Sequence, residues 1–175
     1  MKITDNMIFI GLKLTQGSID KIKSKVIIKH ENVFCDHVTL WYFDDRDRGI
    51  NKGGVNSFNY GEGYYAYQRA QLVNYNTMED FKWPVLFKAV GVLSSDKCQT
   101  LTLSHINHLM HDCGDEAHVT LSTTGDVKPV YSNDMLYDIM YNGKIVLNKV
   151  EEKGYEYDEV DILLEGHIKF YNKIT

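Results

Sequence analysis

The sequence predicts an α+β protein dominated by antiparallel strands. Most of its apolar stretches are short, β-prone and bounded by turn residues, as half-buried strands are. Helical segments are expected to be few and short. With 175 residues, of which 43% are hydrophobic and 12% aromatic, the chain is expected to form one folded domain over residues 1–175. That length also allows an internally duplicated domain of two small lobes.

The first part of the chain is predicted to contribute two strands and one helix. Met7–Leu14 is apolar and β-prone, and Val33–Phe43 has the same character. Between them, Ser18 is the predicted N-cap of a short helix over Ile19–Lys25. From Asp44 to Tyr67, glycine, asparagine and charged residues predict a long irregular connection, and such long loops are often functional.

The rest of the chain is predicted to consist mainly of strands. A turn at Ser94–Lys97 joins two of them into a hairpin. A second helix begins at a cap provided by Ser132 or Asn133 and ends at Met140, and Glu151–Glu159 is a predicted acidic loop. The predicted strands are Tyr64–Val73, Val85–Leu93, Cys98–Leu103, Ala117–Ser122, Lys144–Val150 and Asp161–Tyr171.

Two identical tetrapeptides lie within these predicted strands. His37–Leu40 and His118–Leu121 both have the sequence His-Val-Thr-Leu, and they lie about 80 residues apart. One such tetrapeptide is expected by chance in on the order of one in several hundred chains of this length, and a pair far more rarely. The repetition therefore indicates an internal structural duplication.

Strand geometry gives the two tetrapeptides a chemical meaning. Because side chains alternate between the faces of a strand, the His and Thr of each motif share one face, while Val and Leu point to the core. If the two strands meet, His37, His118, Thr39 and Thr120 converge. One neutral imidazole can accept a proton from an attacking oxygen, and the other, as imidazolium, can protonate the leaving oxygen of a phosphodiester. The hydroxyls can hold the non-bridging oxygens, so no cofactor is expected.

With these motifs the sequence resembles the two-histidine (2H) phosphoesterase superfamily, whose members carry two His-x-Thr/Ser motifs on facing strands of a bilobal, pseudo-twofold fold. The resemblance covers most of the chain in order: strand, helix, first motif, hairpin, second motif. It implies antiparallel sheets with a few short helices and metal-independent catalysis. The catalytic roles of the superfamily would be carried by His37, Thr39, His118 and Thr120.

Two further segments narrow the resemblance within the superfamily. The hairpin Phe87–Leu103 and the stretch Gly125–Asn133 look like the tRNA-ligase-type cyclic phosphodiesterase branch and its phage relatives. Those relatives include the anti-CBASS nuclease that degrades cyclic oligonucleotide immune signals. The resemblance implies hydrolysis of 3′-5′ bonds in cyclic di- or trinucleotides, with a 2′,3′-cyclic phosphate as intermediate or product. Two alternatives remain open: an RNA 2′,3′-cyclic phosphodiesterase in tRNA or RNA repair, and a nucleotide sponge that binds without cutting.

Charge and composition bound the partners of the chain. A formal net charge of -5 disfavours binding to long nucleic acid, whereas a small nucleotide needs only a few local donors. The sequence shows no leader peptide and no apolar run of membrane length. Cys35, Cys98 and Cys113 have no disulfide spacing. A cytoplasmic protein is therefore expected, in the host cytoplasm if viral, without a membrane partner; its oligomeric state stays open.

Four residues outside the motifs are candidates for substrate contact. Trp41 lies on the motif face of its predicted strand, where an indole suits base stacking and core packing equally. Glu152, Tyr155 and Tyr157 belong to the acidic loop. That loop either closes over a ligand or forms a solvated turn.

The segment before the second motif carries a further group of potential metal ligands. The three histidines among them are three residues apart, a spacing that spreads side chains around a helix. Metal sites instead favour pairs four residues apart or Cys-x-x-Cys knuckles. A polar connection is the expected interpretation, and no metal site is predicted. The residues concerned are His105, His108, His111 and Cys113.

Overall fold

The computed structural model describes residues 7–42, 84–104, 117–142, 145–146, 149–150 and 154–172. These residues form mostly antiparallel strands with two helices, which confirms the predicted α+β class. Neither helix is long and apolar enough to cross a membrane. The elements are β1 (Met7–Leu14), α1 (Gln16–Lys25), β2 (Asn32–Val33), β3 (His37–Tyr42), β4 (Val85–Ser94), β5 (Cys98–Leu103), β6 (His118–Thr123), α2 (Tyr131–Asn142), β7 (Ile145–Val146), β8 (Lys149–Val150) and β9 (Tyr155–Asn172).

The strands of the described residues form one sheet. Its main path has the order β2-β6-β5-β4-β9-β1-β3, and the β7–β8 hairpin joins through β8 to β9. The long strand β9 pairs with β4 on one side and with β1 on the other, both antiparallel. From the β4–β9 pair outward come β1 and then β3 on one side, and β5 and then β6 on the other, so β3 and β6 occupy equivalent places.

The sheet curls until β3 and β6 meet. β3 contacts β6 although the path of the sheet places four strands between them. The chain just before β3 continues the pairing of β2 with β6, because the Cys35 N–H donates to the Thr120 carbonyl at 3.0 Å. Two residues further along each strand, in opposite chain directions, come His37 and His118. The pairing thus brings the first residues of both motifs to the same end of the two strands.

Cys35 interrupts the strand that the sequence predicts over Val33–Phe43. Its backbone has a φ of 56°, a left-handed conformation that side chains other than glycine rarely adopt. The turn redirects the chain from β6 to β1, so the predicted strand is wrong as one element and becomes β2 and β3. The Cys35 thiol is fully buried, lies 3.5 Å from the Leu121 carbonyl oxygen, and burial raises its pKa to about 11.

The buried thiol makes a testable contribution to alkaline stability. Because the pKa of Cys35 is higher in the folded protein, the unfolded chain releases the thiol proton first. The free energy of unfolding should therefore fall as the pH rises from about 9 to about 11. In urea titrations at pH 8 to 11, the Cys35→Ala variant should show a shallower fall than the wild type. Parallel curves would show that the thiol makes no such contribution.

Two predicted elements are corrected by the sheet and its contacts. α1 begins at Gln16, and its N-cap is Thr15 rather than Ser18, since Thr15 Oγ1 accepts the Ser18 N–H at 3.3 Å. Ser18 is buried, and its Oγ accepts the Glu165 N–H at 2.7 Å, which ties α1 to β9. The segment Lys144–Val150 contains two short strands that pair as a hairpin instead of one strand.

The acidic loop predicted over Glu151–Glu159 is also wrong in its second half. β9 begins at Tyr155, and its first residues pair with β4, with Glu156 opposite Ser94 and Glu159 opposite Gly91. Pairing with a long neighbouring strand outweighs the polar composition that predicted a loop. The predicted strand Tyr64–Val73 lies outside the described residues.

Apolar clusters lie on both sides of the sheet, and one is much larger than the other. The main core lies under α1, where Ile22 packs with buried residues of β1, β3, β4, β5, β6 and β9. Val38, Val119 and Leu121 of the two motifs are fully buried in it, which confirms the predicted alternation for these positions. A second cluster lies under α2, on the opposite side of the sheet, and comprises Leu93, Cys98, Met135 and Leu136.

Candidate active site

The motif strands place their polar side chains on the side of the sheet opposite the main core. Since Val38 and Val119 point into that core, His37 and Thr39 of β3 and His118 of β6 project to the other side. Contact between β3 and β6 makes these projections parts of one region. These side chains thus share one side of the sheet, and their joint role in catalysis stays a prediction.

His37 is oriented by its neighbour in sequence. Its Nδ1 lies 2.8 Å from Asp36 Oδ1, and the imidazole side chain is 28% exposed. The hydrogen bond from His37 is the largest cause that holds the pKa of Asp36 below its usual value. An ionised carboxylate can only accept a hydrogen bond, so Nδ1 is the donor and Nε2 is the nitrogen left for a reacting group.

Two aromatic rings border His37. Phe9 of β1 and Tyr171 of β9 face each other across the strands and stack with their centroids 4.2 Å apart. Each of these ring centroids lies 5.3 Å from the His37 ring centroid. Burial, followed by the negative charge of Asp36, raises the pKa of Tyr171 to about 12, so its phenol is protonated at neutral pH. The rings restrict His37 from one flank.

The second motif is more enclosed. His118 is only 7% exposed, and in the β5–β6 register it lies opposite Thr102. Thr120 Oγ1 donates to the Pro129 carbonyl at 3.2 Å and lies 2.8 Å from Ser132 Oγ. Because a hydroxyl has one proton, Thr120 receives its hydrogen bond from Ser132. To donate to a phosphate oxygen, the Thr120 hydroxyl must rotate away from Pro129.

The other predicted contact residues have different surroundings. Trp41 lies in β3 opposite Ile10, and its side chain lies outside the described residues, as do Glu152 and the four potential metal ligands between residues 105 and 113. Tyr155 and Tyr157 pack against the cluster under α2. The Tyr155 hydroxyl donates to Asp138 Oδ2 at 3.0 Å. Contact with substrate stays a prediction for these residues.

Four site residues are additions that the structure makes. Asp36 is adjacent to the first motif, so its position in the sequence could have revealed it. Ser132 is the second residue of α2, so the predicted cap at Ser132 or Asn133 is wrong, and the sequence does not indicate its hydrogen bond to Thr120. Phe9 and Tyr171 reach His37 only because β1, β3 and β9 are neighbours, and no local sequence pattern indicates that pairing.

Comparison with known proteins bears on the fold alone. No protein-family model matches the sequence, and no curated protein sequence matches it. Among solved structures, the chain is similar to the crystal structure of a fungal RNA kinase, with a TM-score of 0.52 and 13% sequence identity. The similarity covers 95% of this chain and 47% of the kinase chain, so this chain spans about half the length of that protein.

Proposed function

We propose that this chain is a metal-independent phosphodiesterase in which His37 and His118 act as the general acid-base pair. The main observation that supports this proposal is the contact between the two strands that bear identical His-Val-Thr-Leu motifs. His37 is partly exposed and held by a carboxylate, whereas His118 is buried. Two imidazoles in such different surroundings suit a reaction in which one accepts a proton and the other donates one.

The proposed chemistry follows from the donors on the motif face, which is the side of the sheet to which His37, Thr39 and His118 project. One histidine accepts the proton of the nucleophile, which is either water or the ribose 2′-hydroxyl, as the oxygen attacks phosphorus. The other histidine gives its proton to the leaving oxygen as the bond to phosphorus breaks. Thr39 and Thr120 would hold the non-bridging oxygens. Asp36 would hold the His37 ring in one tautomer and supply a counter-charge when the ring is protonated.

The 2H phosphoesterase fold is part of the proposal. The equivalent places of β3 and β6, each separated from the β4–β9 pair by one strand, support a pseudo-twofold arrangement of two lobes within one domain over residues 1–175. A single substrate phosphate would lie between the lobes, in reach of both motifs.

Cyclic di- or trinucleotides are the proposed substrates, as in viral counter-defence of the anti-CBASS type. The support is the resemblance in the motifs and the stretch Gly125–Asn133, together with a net charge of -5 that disfavours long nucleic acid. The protein would then act in the cytoplasm of the host.

The likeness to a fungal RNA kinase favours a second candidate. An RNA 2′,3′-cyclic phosphodiesterase would use the same histidines on the end of an RNA strand. A sponge that binds cyclic nucleotides without cutting them would keep the binding face and show no turnover.

One experiment separates these candidates. The purified protein, in the presence of EDTA, is incubated with 3′,3′-cyclic dinucleotides, a cyclic trinucleotide and an RNA oligomer that ends in a 2′,3′-cyclic phosphate, and the products are separated by chromatography. Linearised cyclic nucleotide supports the proposal, and opening of the RNA end alone assigns the chain to RNA repair. Loss of activity that zinc restores would overturn metal independence.

Asp36 provides a test specific to the proposed acid-base role. Asp36→Asn removes the counter-charge and allows the amide to donate to Nδ1, which would leave the proton on the wrong nitrogen. We expect kcat to fall at least about tenfold, with KM changed less, and the pH profile to move. Asp36→Glu is the matched control that keeps the charge. A purely structural role would lower the unfolding temperature of Asp36→Asn and leave its pH profile unchanged.

A further inference from the structure

A line of basic side chains lies beside His37 on the motif face. Lys13 of β1 is directly opposite His37 in the β1–β3 register and directly opposite His167 in the β1–β9 register. Lys169 lies one row along, opposite Gly11. Directly opposite residues of an antiparallel pair point to the same side of the sheet, and neighbouring strands lie about 4.8 Å apart. The line therefore extends about 10 Å from His37.

These side chains are accessible to a ligand. Lys13, His167 and Lys169 are all exposed, and among the described residues none of the three takes part in an ion pair. Lys169 Nζ lies 4.9 Å from the centroid of the Tyr171 ring, which itself borders His37. That contact keeps an ammonium group next to the site.

The charges along the line are unequally balanced. After the hydrogen bond from His37, the nearby charge of Lys13 is among the causes that hold the pKa of Asp36 below its usual value, so Lys13 already lies near a carboxylate. Lys88, on the neighbouring strand β4, is paired with Asp161 at 3.2 Å. Lys169 has no carboxylate partner among the described residues, and a bound anion would supply the counter-charge.

The line extends from His37 in the direction away from the phosphate that would be cut. A phosphate between His37 and His118 lies on the side of β3 that faces β6. The lysines lie on the other side of β3, since β1 is its neighbour there and β9 comes next. They would reach a different phosphate of the same ligand.

We infer that Lys13, Lys169 and His167 form a second phosphate subsite, which binds a phosphodiester of the substrate other than the one that is cleaved. The inference rests on the proposed function and specifies its substrate class: a cyclic or short linear oligonucleotide with at least two phosphates. A nucleoside that carries one cyclic phosphate would leave this subsite empty.

Binding measurements with two ligands test the subsite. In a His118→Ala background, which prevents turnover, Kd is measured by calorimetry for a 3′,3′-cyclic dinucleotide and for adenosine 2′,3′-cyclic phosphate. Lys13→Met and Lys169→Met should each weaken cyclic dinucleotide binding about tenfold relative to mononucleotide binding. Lys88→Met is the matched control, because it removes an exposed lysine of the same sheet outside the line, and it should change neither affinity.

The outcomes separate the subsite from the catalytic proposal. An equal loss for both ligands would place the lysines on the cleaved phosphate and overturn the inference, as would no loss for either. If the lysine variants weaken dinucleotide binding as expected but the wild type releases no product, the subsite stands and the proposed catalysis falls. If the wild type cleaves the dinucleotide and the lysine variants bind it normally, the proposed catalysis stands and the subsite falls.

Discussion

Replacing His37 or His118 by alanine should lower kcat for the cyclic dinucleotide at least a hundredfold, because each variant removes one of the two proton-transfer groups. KM should change much less, since the hydroxyls and cations that hold the substrate remain. The double variant should be little slower than the slower single variant, because the two histidines act in one concerted transfer. Steady-state rates of linearisation, measured at several pH values, provide the comparison.

His30 offers the matched control for these histidines. Its Nε2 donates to the Ser95 carbonyl at 3.1 Å, near the β4–β5 turn and away from the motif face. His30→Ala should cost about 1 kcal/mol of stability through the lost hydrogen bond and leave kcat within about twofold. Full activity in either motif variant, with His30→Ala equally active, would remove the acid-base assignment.

The second large effect is expected at Gly11. A Cβ at this position would lie 2.5 Å from the Val38 carbonyl oxygen, and 3.3 Å and 3.4 Å from the rings of Tyr171 and Phe9. The backbone oxygen cannot move without separating β1 from β3. Gly11→Ala should therefore lower the free energy of unfolding by about 2–3 kcal/mol and reduce activity, because the same rings border His37.

Gly17 supplies the control for this substitution. It lies in the first turn of α1, and a Cβ there would meet nothing within 4 Å. Gly17→Ala should stabilise the protein by about 0.5 kcal/mol, since alanine loses less conformational freedom in a helix. Urea unfolding of both variants measures the difference. Equal midpoints for the two would show that β1 and β3 tolerate a wider spacing at Gly11.

The sequence predicts the elements of this fold better than their connections. β1 and β5 have the predicted bounds, because their apolar runs end at clear turn residues. The start of β9 is missed because Glu156, Asp158 and Glu159 are charged, and only pairing with β4 reveals them as strand. The break at Cys35 is missed because nothing in its local sequence indicates a left-handed residue.

The candidate site is likewise predicted only in part from the sequence. The motif residues are visible because a tetrapeptide is repeated, and alternation along a strand assigns their faces. The surroundings of His37 depend on the neighbours that the sheet provides, so Phe9, Tyr171 and Lys13 carry no local mark of their proximity. Their proximity to His37 follows only from the order and register of β3, β1 and β9.

The position of β9 has a consequence for the order in which the protein assembles. This strand joins the part of the sheet that carries β3 to the part that carries β6, and its partners β1 and β4 are separated from it by long stretches of chain. A growing chain that ends before residue 155 lacks this link, and contacts so distant in sequence form slowly. We expect the candidate site to be completed only when β9 has been synthesised, in the same late step as the complete fold.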